Sequence, residues 1–196
     1  MNDMPVYPSA LQHRQPPIVQ IVGYKNSGKT TLVTSLLRLF VQQGLRVAVI
    51  KHDAHAFQMD HPGTDTYAHT EAGAVAIAIT SPLRTAIIRE QPASLEQLID
   101  ELLQGSREGY DLILIEGFKR EQYPKVALVV DEQGLELLSE LTGIHWIYSR
   151  LAPEQVAEYV KREDDIQLKD IPIILDSKDG IMDMFIALYA YIQSST

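Results

Sequence analysis

The chain has 196 residues, with 17 Lys and Arg against 26 Asp and Glu for a net charge of −9, and is 45% hydrophobic and 22% charged. That length and composition fit one globular domain with a sizeable core and exclude a disordered chain, while the acidic balance argues against nucleic acid or an anionic membrane as a partner. There is no cysteine, which excludes disulfide scaffolds, thiolate metal sites and cysteine nucleophiles, and fits an intracellular location.

Residues 1–17 hold four prolines and no hydrophobic period, and are expected to form a flexible N-terminal arm ahead of one domain over 18–196. They lack the apolar core of a secretory signal, and no apolar run in the chain approaches the roughly 18 residues of a membrane span. Ile18, Val19, Ile21 and Val22 read as a buried strand, followed by a glycine-rich turn. From Lys29 the pattern becomes helical, with Leu32, Leu36, Leu39 and Phe40 on one face and Gly44 as the stop. Residues 47–50 form the next strand, and the polar stretch 51–70 reads as a long loop. Residues 74–79 and 83–88 read as strands around Ser81-Pro82, and Ser94 with Gln97 has capping-box spacing. Further strands are expected at 112–115, 125–130, 144–148 and 171–175, with helices near 132–140 and from Pro153. Ile181, Met184, Phe185, Leu188 and Ile192 make the core-facing stripe of a last helix. Strands alternating with helices, several of them continuous apolar runs, predict an α/β fold: an open, mostly parallel, three-layer sheet with helices on both faces.

Gly23-Tyr24-Lys25-Asn26-Ser27-Gly28-Lys29-Thr30 fits G-x-x-x-x-G-K-[ST] at every fixed position, between a buried-type strand and an amphipathic helix. This is the pattern of a P-loop NTPase. Glycines let backbone N–H groups turn toward a phosphate, and the helix N-terminus adds unpaired donors and the positive end of its dipole. The lysine places a charge on the β- and γ-phosphate oxygens, and the threonine hydroxyl ligates Mg²⁺. Gly23, Asn26, Ser27, Gly28, Lys29, Thr30 and Thr31 are therefore the nucleotide-binding set. The apolar strand 112–115 ends in Glu116-Gly117, so Glu116 lies at the carboxyl end where open α/β sheets bind ligands, and Asp111 at the far edge. Glu116 is thus the better magnesium ligand of the two.

Four segments converge on one family: the phosphate loop, Lys51-His52-Asp53-Ala54-His55, the Asp60-x-Pro62-Gly63-x-Asp65-Thr66-Tyr67 stretch running to Ala72-Gly73-Ala74, and Glu116-Gly117-Phe118-Lys119. The chain resembles the molybdopterin-guanine dinucleotide biosynthesis protein B family, over roughly residues 18–130 by motif. The resemblance implies a cytoplasmic, dimeric adaptor of molybdenum cofactor synthesis that binds GTP with Mg²⁺. Such an adaptor hydrolyses GTP slowly at most and works beside the guanylyltransferase that attaches GMP to molybdopterin. It also implies that Asp65 joins Thr30 and Glu116 in holding Mg²⁺. Lys51, His52, His55 and Lys119 are read as contacts to a molybdopterin-type ligand or as a nucleotide-sensing switch. Thr64 and Ala68 stand where family members usually carry Lys and Arg, so two cations are absent from this stretch.

Two rivals remain. A small-molecule kinase or ligase on the same fold needs several arginines around the transferred phosphoryl group, and the loops after the phosphate loop are poor in arginine. A metallochaperone GTPase would use His52, His55, His61 and His69 with Asp53, Asp60 and Asp65, although their spacing matches no tight metal motif. Base selection has no N-K-x-D signature. Asp176-Ser177-Lys178-Asp179 follows the last strand: either Asp176 reads guanine, accepting from N1–H and the 2-amino group, or these residues cap the last helix. No arginine is placed near the phosphate loop by the sequence, so hydrolysis by the chain alone is expected to be slow and in need of a partner.

Overall fold

A computed structural model describes residues 15–53, 57–163 and 168–195. In chain order the elements are β1 (Ile18–Val22), α1 (Lys29–Gln42), β2 (Val47–Lys51), α2 (Asp65–Glu71), β3 (Ala76–Thr80), β4 (Thr85–Arg89) and α3 (Leu95–Gly105). They continue as β5 (Leu112–Glu116), β6 (Lys125–Val129), α4 (Glu132–Glu140), β7 (Ile144–Ser149), α5 (Pro153–Arg162), β8 (Ile173–Leu175) and α6 (Lys178–Ser194). The chain divides into two compact units, Met1–His52 with Ile99–Thr196, and Asp53–Leu98.

The larger unit holds a six-stranded sheet in the order β2-β5-β1-β6-β7-β8. Every ladder in it is parallel. Parallel strands need crossovers and bury both faces, which explains why β5 (LILIE) and β6 (KVALV) are buried along their whole length. Alternate residues feed two cores. Val19, Ile21, Leu112, Leu114, Val126 and Leu128 pack with Leu32, Leu36 and Phe40 of α1 and Met184, Phe185 and Leu188 of α6. Val22, Ala127, Val129 and Ile147 pack on the other face with Leu137 and Leu138 of α4 and Val156 and Val160 of α5. Each fully buried Leu or Ile contributes about 1.5–3 kcal/mol. The sheet with helices on both faces is the three-layer α/β arrangement expected from the sequence.

The smaller unit carries α2 and the antiparallel pair β3–β4, in register from Ala76↔Arg89 to Thr80↔Thr85. The reading of 51–70 as loop throughout is corrected here. Thr64 caps α2 by accepting from the Tyr67 N–H at 3.2 Å, and α2 buries none of its residues. A short helix without an apolar stripe gives no periodic signal, which is why it reads as loop. The capping box at Ser94 forms as expected: Ser94 N donates to Gln97 Oε1 at 2.9 Å, and Gln97 N to Ser94 Oγ at 3.2 Å. Of residues 1–17, the described part begins at Gln15, and the Pro17 carbonyl accepts from Ile113 N at 3.0 Å. Among the described residues no helix is long and apolar enough to cross a membrane.

Candidate functional site

The loop between β1 and α1 is shaped by residues that tolerate unusual backbone. Gly28 has φ +92° and Asn26 φ +63°, values that glycine and, less often, asparagine accept. Gly28 is the N-cap of α1 and offers no side chain as a cap, and the first turn has no acidic residue. The helix N-terminus thus keeps unpaired N–H donors and its positive dipole end directed at the loop.

Two further observations test whether the loop fits a polyphosphate. The Ser27 hydroxyl oxygen is buried without a hydrogen-bond partner among the described residues, and a Cβ on Gly23 would lie 2.6 Å from it. A buried polar atom without a partner is costly, so the loop is built for something that brings hydrogen-bonding atoms. Lys29 Nζ donates to the carbonyls of Gly23 at 3.0 Å and Tyr24 at 2.6 Å, which holds the ammonium inside the loop. Burial pushes the Lys29 ammonium below the usual lysine range; Glu116 opposes the shift and Lys51 adds to it. An anion entering this cradle meets a partly desolvated cation, where electrostatic attraction is stronger than in water. The residues present fit the phosphate end of a nucleotide.

Beside the loop, Thr30 Oγ1 donates to Glu116 Oε1 at 2.7 Å. Glu116 ends β5 and is 6% exposed. Lys51, the last residue of β2, places Nζ 3.3 Å from the same oxygen. A hydroxyl and a carboxylate meeting at the carboxyl end of a central strand form an oxygen pair suited to a hard cation such as Mg²⁺. Asp111 lies at the opposite end of β5, where its carboxylate accepts from Arg46 N at 2.7 Å. Glu116 and Asp111 thus stand at opposite ends of β5.

On the other side of β1, Arg150 follows β7 and Asp176 follows β8. Arg150 Nε donates to Asp176 Oδ2 at 2.8 Å, and the Tyr148 hydroxyl donates to Oδ1 at 3.0 Å. Burial, then the carboxylate of Asp176, pushes the Tyr148 phenol well above its ordinary value, so it remains a donor. Arg150 Nη2 lies 3.2 Å from where a Cβ on Gly28 would stand. The expectation that no arginine neighbours the phosphate loop is therefore corrected. Arg150 is 122 residues beyond Gly28, and only the β1-β6-β7 strand order brings it there. Ser177 caps α6, accepting from Gly180 N at 3.0 Å, as the capping reading of residues 176–179 expects.

A family model described as molybdopterin guanine dinucleotide synthesis protein B, MobB, matches residues 18–147. The chain belongs to this family. It is 37% identical over 125 residues to the molybdopterin-guanine dinucleotide biosynthesis adapter protein of Haemophilus influenzae, covering 63% of this chain and 68% of that one. It is 36% identical over 121 residues to the adapter protein of the same description from Escherichia coli, covering 60% and 68%. Among solved structures it is similar to Bacillus subtilis MobB, with TM-score 0.66, 28% identity, and 87% and 96% of the two chains covered. The phosphate loop and the stretches 51–55, 60–74 and 116–119 all lie within the matched region, and the P-loop NTPase architecture is that of these relatives.

The remaining MobB-family positions fall as follows. Asp65 is the first residue of α2, in the smaller unit, whereas Thr30 and Glu116 are in the larger one. His52 N donates to the Glu116 carbonyl at 2.9 Å, and its ring packs on Phe118 with centroids 4.7 Å apart. Lys119 Nζ lies 5.5 Å from the Tyr24 ring centroid and 3.7 Å from Glu140 Oε2, so it borders the phosphate loop. His55 lies outside the described residues. Asp60 is held by Thr64 Oγ1 at 2.6 Å, and this hydrogen bond keeps its carboxyl below the usual range. Among the described residues no three His or carboxylate side chains converge as a metal cluster.

Two supporting residues were missed by the sequence reading. Gln20, buried within β1, donates Nε2 to the carbonyls of Gly117 at 3.2 Å and Phe118 at 2.7 Å, and its Oε1 accepts from Tyr123 N at 3.3 Å. Lys125, fully buried, donates to the carbonyls of Glu121 and Tyr123. Together they pin the segment that follows Glu116. A polar residue inside an otherwise apolar strand is the one signal that could have disclosed them.

Proposed function

We propose that this chain is an adaptor of molybdenum cofactor synthesis. It binds GTP with Mg²⁺ at the loop of residues 23–31 and serves the molybdopterin guanylyltransferase. The observation that carries the reading is the Thr30–Glu116 pair beside the phosphate loop, in a member of a family whose relatives are named adapter proteins. Lys29, the N–H groups from Gly23 to Thr31 and the Ser27 hydroxyl hold the phosphates. Thr30 and Glu116 hold Mg²⁺. Bound Mg²⁺ supplies charge neutralisation to the phosphate oxygens. Residues 18–196 act as the nucleotide-binding domain, with 1–17 as its arm, in a cytoplasmic homodimer. Lys51, His52 and Lys119 contact a molybdopterin-type ligand or report the nucleotide state.

Size-exclusion chromatography of the chain with purified molybdopterin guanylyltransferase, with and without Mg·GTP, tests the adaptor role. Co-elution that strengthens with Mg·GTP and is lost in Lys29→Ala is expected. Separate elution in both conditions contradicts the role.

A further inference from the structure

We infer that Arg150 is a nucleoside-side contact of the bound nucleotide, and that Asp176 positions Arg150 rather than reading the base. The inference rests on the nucleotide reading of the phosphate loop.

The sheet order sets the two ends of the site. β5 with Glu116 flanks β1 on one side, and β6, β7 and β8 extend on the other. The cation end of a nucleotide belongs beside Thr30 and Glu116, which leaves its nucleoside end to the carboxyl ends of β7 and β8, where such sheets bind ligands. Arg150 stands there with Nη2 next to Gly28. Its main chain is fixed by Arg150 N donating to the Val129 carbonyl at 2.8 Å. Its side chain is half exposed and anchored to Asp176 at one edge through Nε. Of the five N–H donors of a guanidinium, this bond uses one.

Asp176 is poorly placed to read guanine. Oδ1 accepts from Tyr148 and Oδ2 from Arg150. Its own N–H donates to the Ser149 carbonyl at 2.6 Å, which fixes its backbone. Tyr148 and Arg150 take one acceptor position on each oxygen and fix the plane of the carboxylate, so a guanine edge would have only the remaining lone pairs of a carboxylate already aimed at these two donors. A planar guanidinium held at one edge has the geometry to stack on an aromatic ring. Stacking tolerates any base, since every base has a π-face.

The test is equilibrium titration of the full chain and the Arg150→Ala, Asp176→Asn and double variants with the magnesium complexes of GTP, GDP, ATP, ITP and tripolyphosphate. Circular dichroism checks that each variant is folded. Arg150→Ala should weaken all four nucleotides by a similar factor, about 3- to 30-fold for a cation–π contact, and leave tripolyphosphate unchanged. Asp176→Asn should weaken the nucleotides less, leave the GTP to ITP ratio unchanged, and add nothing in the Arg150→Ala background. Nucleotide affinity unchanged in Arg150→Ala overturns the contact. A parallel loss of tripolyphosphate overturns the nucleoside assignment in favour of a phosphate contact. A GTP preference over ITP that disappears in Asp176→Asn restores the carboxylate as reader, because ITP lacks the 2-amino group. A wild-type chain that binds none of these ligands overturns the nucleotide reading beneath the inference, whereas nucleotide binding indifferent to Arg150 overturns the inference alone.

Discussion

The Thr30 hydroxyl donates to Glu116 across 2.7 Å, joining the first turn of α1 to the carboxyl end of β5. The two residues are 86 positions apart, and the β1–β5 ladder, which pairs Ile21 with Glu116, brings them together. Lys51 offsets the buried carboxylate from β2. Three adjacent strand ends thus set one oxygen pair beside the phosphate loop, and the magnesium dependence of binding should follow that pair. Thr30→Ala and Glu116→Gln are expected to weaken Mg²⁺-dependent GTP binding about tenfold or more, on the scale of a charge-assisted contact. Asp111→Asn should leave it intact, because Asp111 bonds Arg46 at the other end of β5. Titration of each variant at varied Mg²⁺ checks this, and the reverse pattern contradicts the placement.

Lys29→Ala should remove triphosphate binding from a folded chain. Among the described residues the lysine side chain bonds the carbonyls of Gly23 and Tyr24, so its removal leaves the apolar cores untouched. A charge-assisted contact of about 1.5–3 kcal/mol corresponds to roughly 10- to 150-fold in affinity. Near-wild-type affinity in a folded variant contradicts the assignment.

The same lysine predicts a pH dependence. Burial already depresses its pKa in the free chain. Phosphate favours the charged form, so the lysine titrates at higher pH in the complex than in the free chain. Affinity is then fully present below the free-chain value and falls as pH rises through it, before the ordinary lysine range near about 10.4. Titrations from about pH 7 to about pH 10 should show that decline in the wild type. A flat wild-type profile contradicts it.

Gln20→Leu is expected to destabilise the chain by about 1–3 kcal/mol, since it strips partners from the Gly117 and Phe118 carbonyls and the Tyr123 N–H. Chemical denaturation measures this directly. An unchanged midpoint would show that the segment after Glu116 relaxes without cost.

The phosphate loop was legible because its chemistry is local: eight consecutive residues, a strand before them and an amphipathic helix after. The position of Glu116 at the carboxyl end of β5 was legible because the apolar run 112–115 fixes the strand and its direction. Arg150 was not, because nothing in Tyr148-Ser149-Arg150-Leu151 marks a site and its partners are 26 and 122 residues away. The α2 helix left no apolar stripe, and only Thr64 ahead of Asp65 signalled it. The strand expected at 171–175 begins instead at Ile173, because Ile171 N is spent on a turn to the Leu168 carbonyl and Pro172 has no N–H to give.

Hydrolysis by the chain alone should be slow, on the order of 10⁻²–10⁻⁴ s⁻¹, the range of unassisted GTPases. Arg150 lies across β1 from Glu116, and with Arg150 assigned to the nucleoside side the described residues offer no arginine to the γ-phosphate. Steady-state phosphate release measures the rate, and several turnovers per second without a partner would show a complete catalytic set in this chain.

Isothermal titration of the wild-type chain with GTP, run with and without Mg²⁺ and repeated with ATP and with Lys29→Ala, tests the central claim most directly. Saturable GTP binding that strengthens with Mg²⁺, exceeds that of ATP and disappears in Lys29→Ala is expected. Binding indifferent to Mg²⁺ and to Lys29, or no GTP binding by the folded chain, would contradict it.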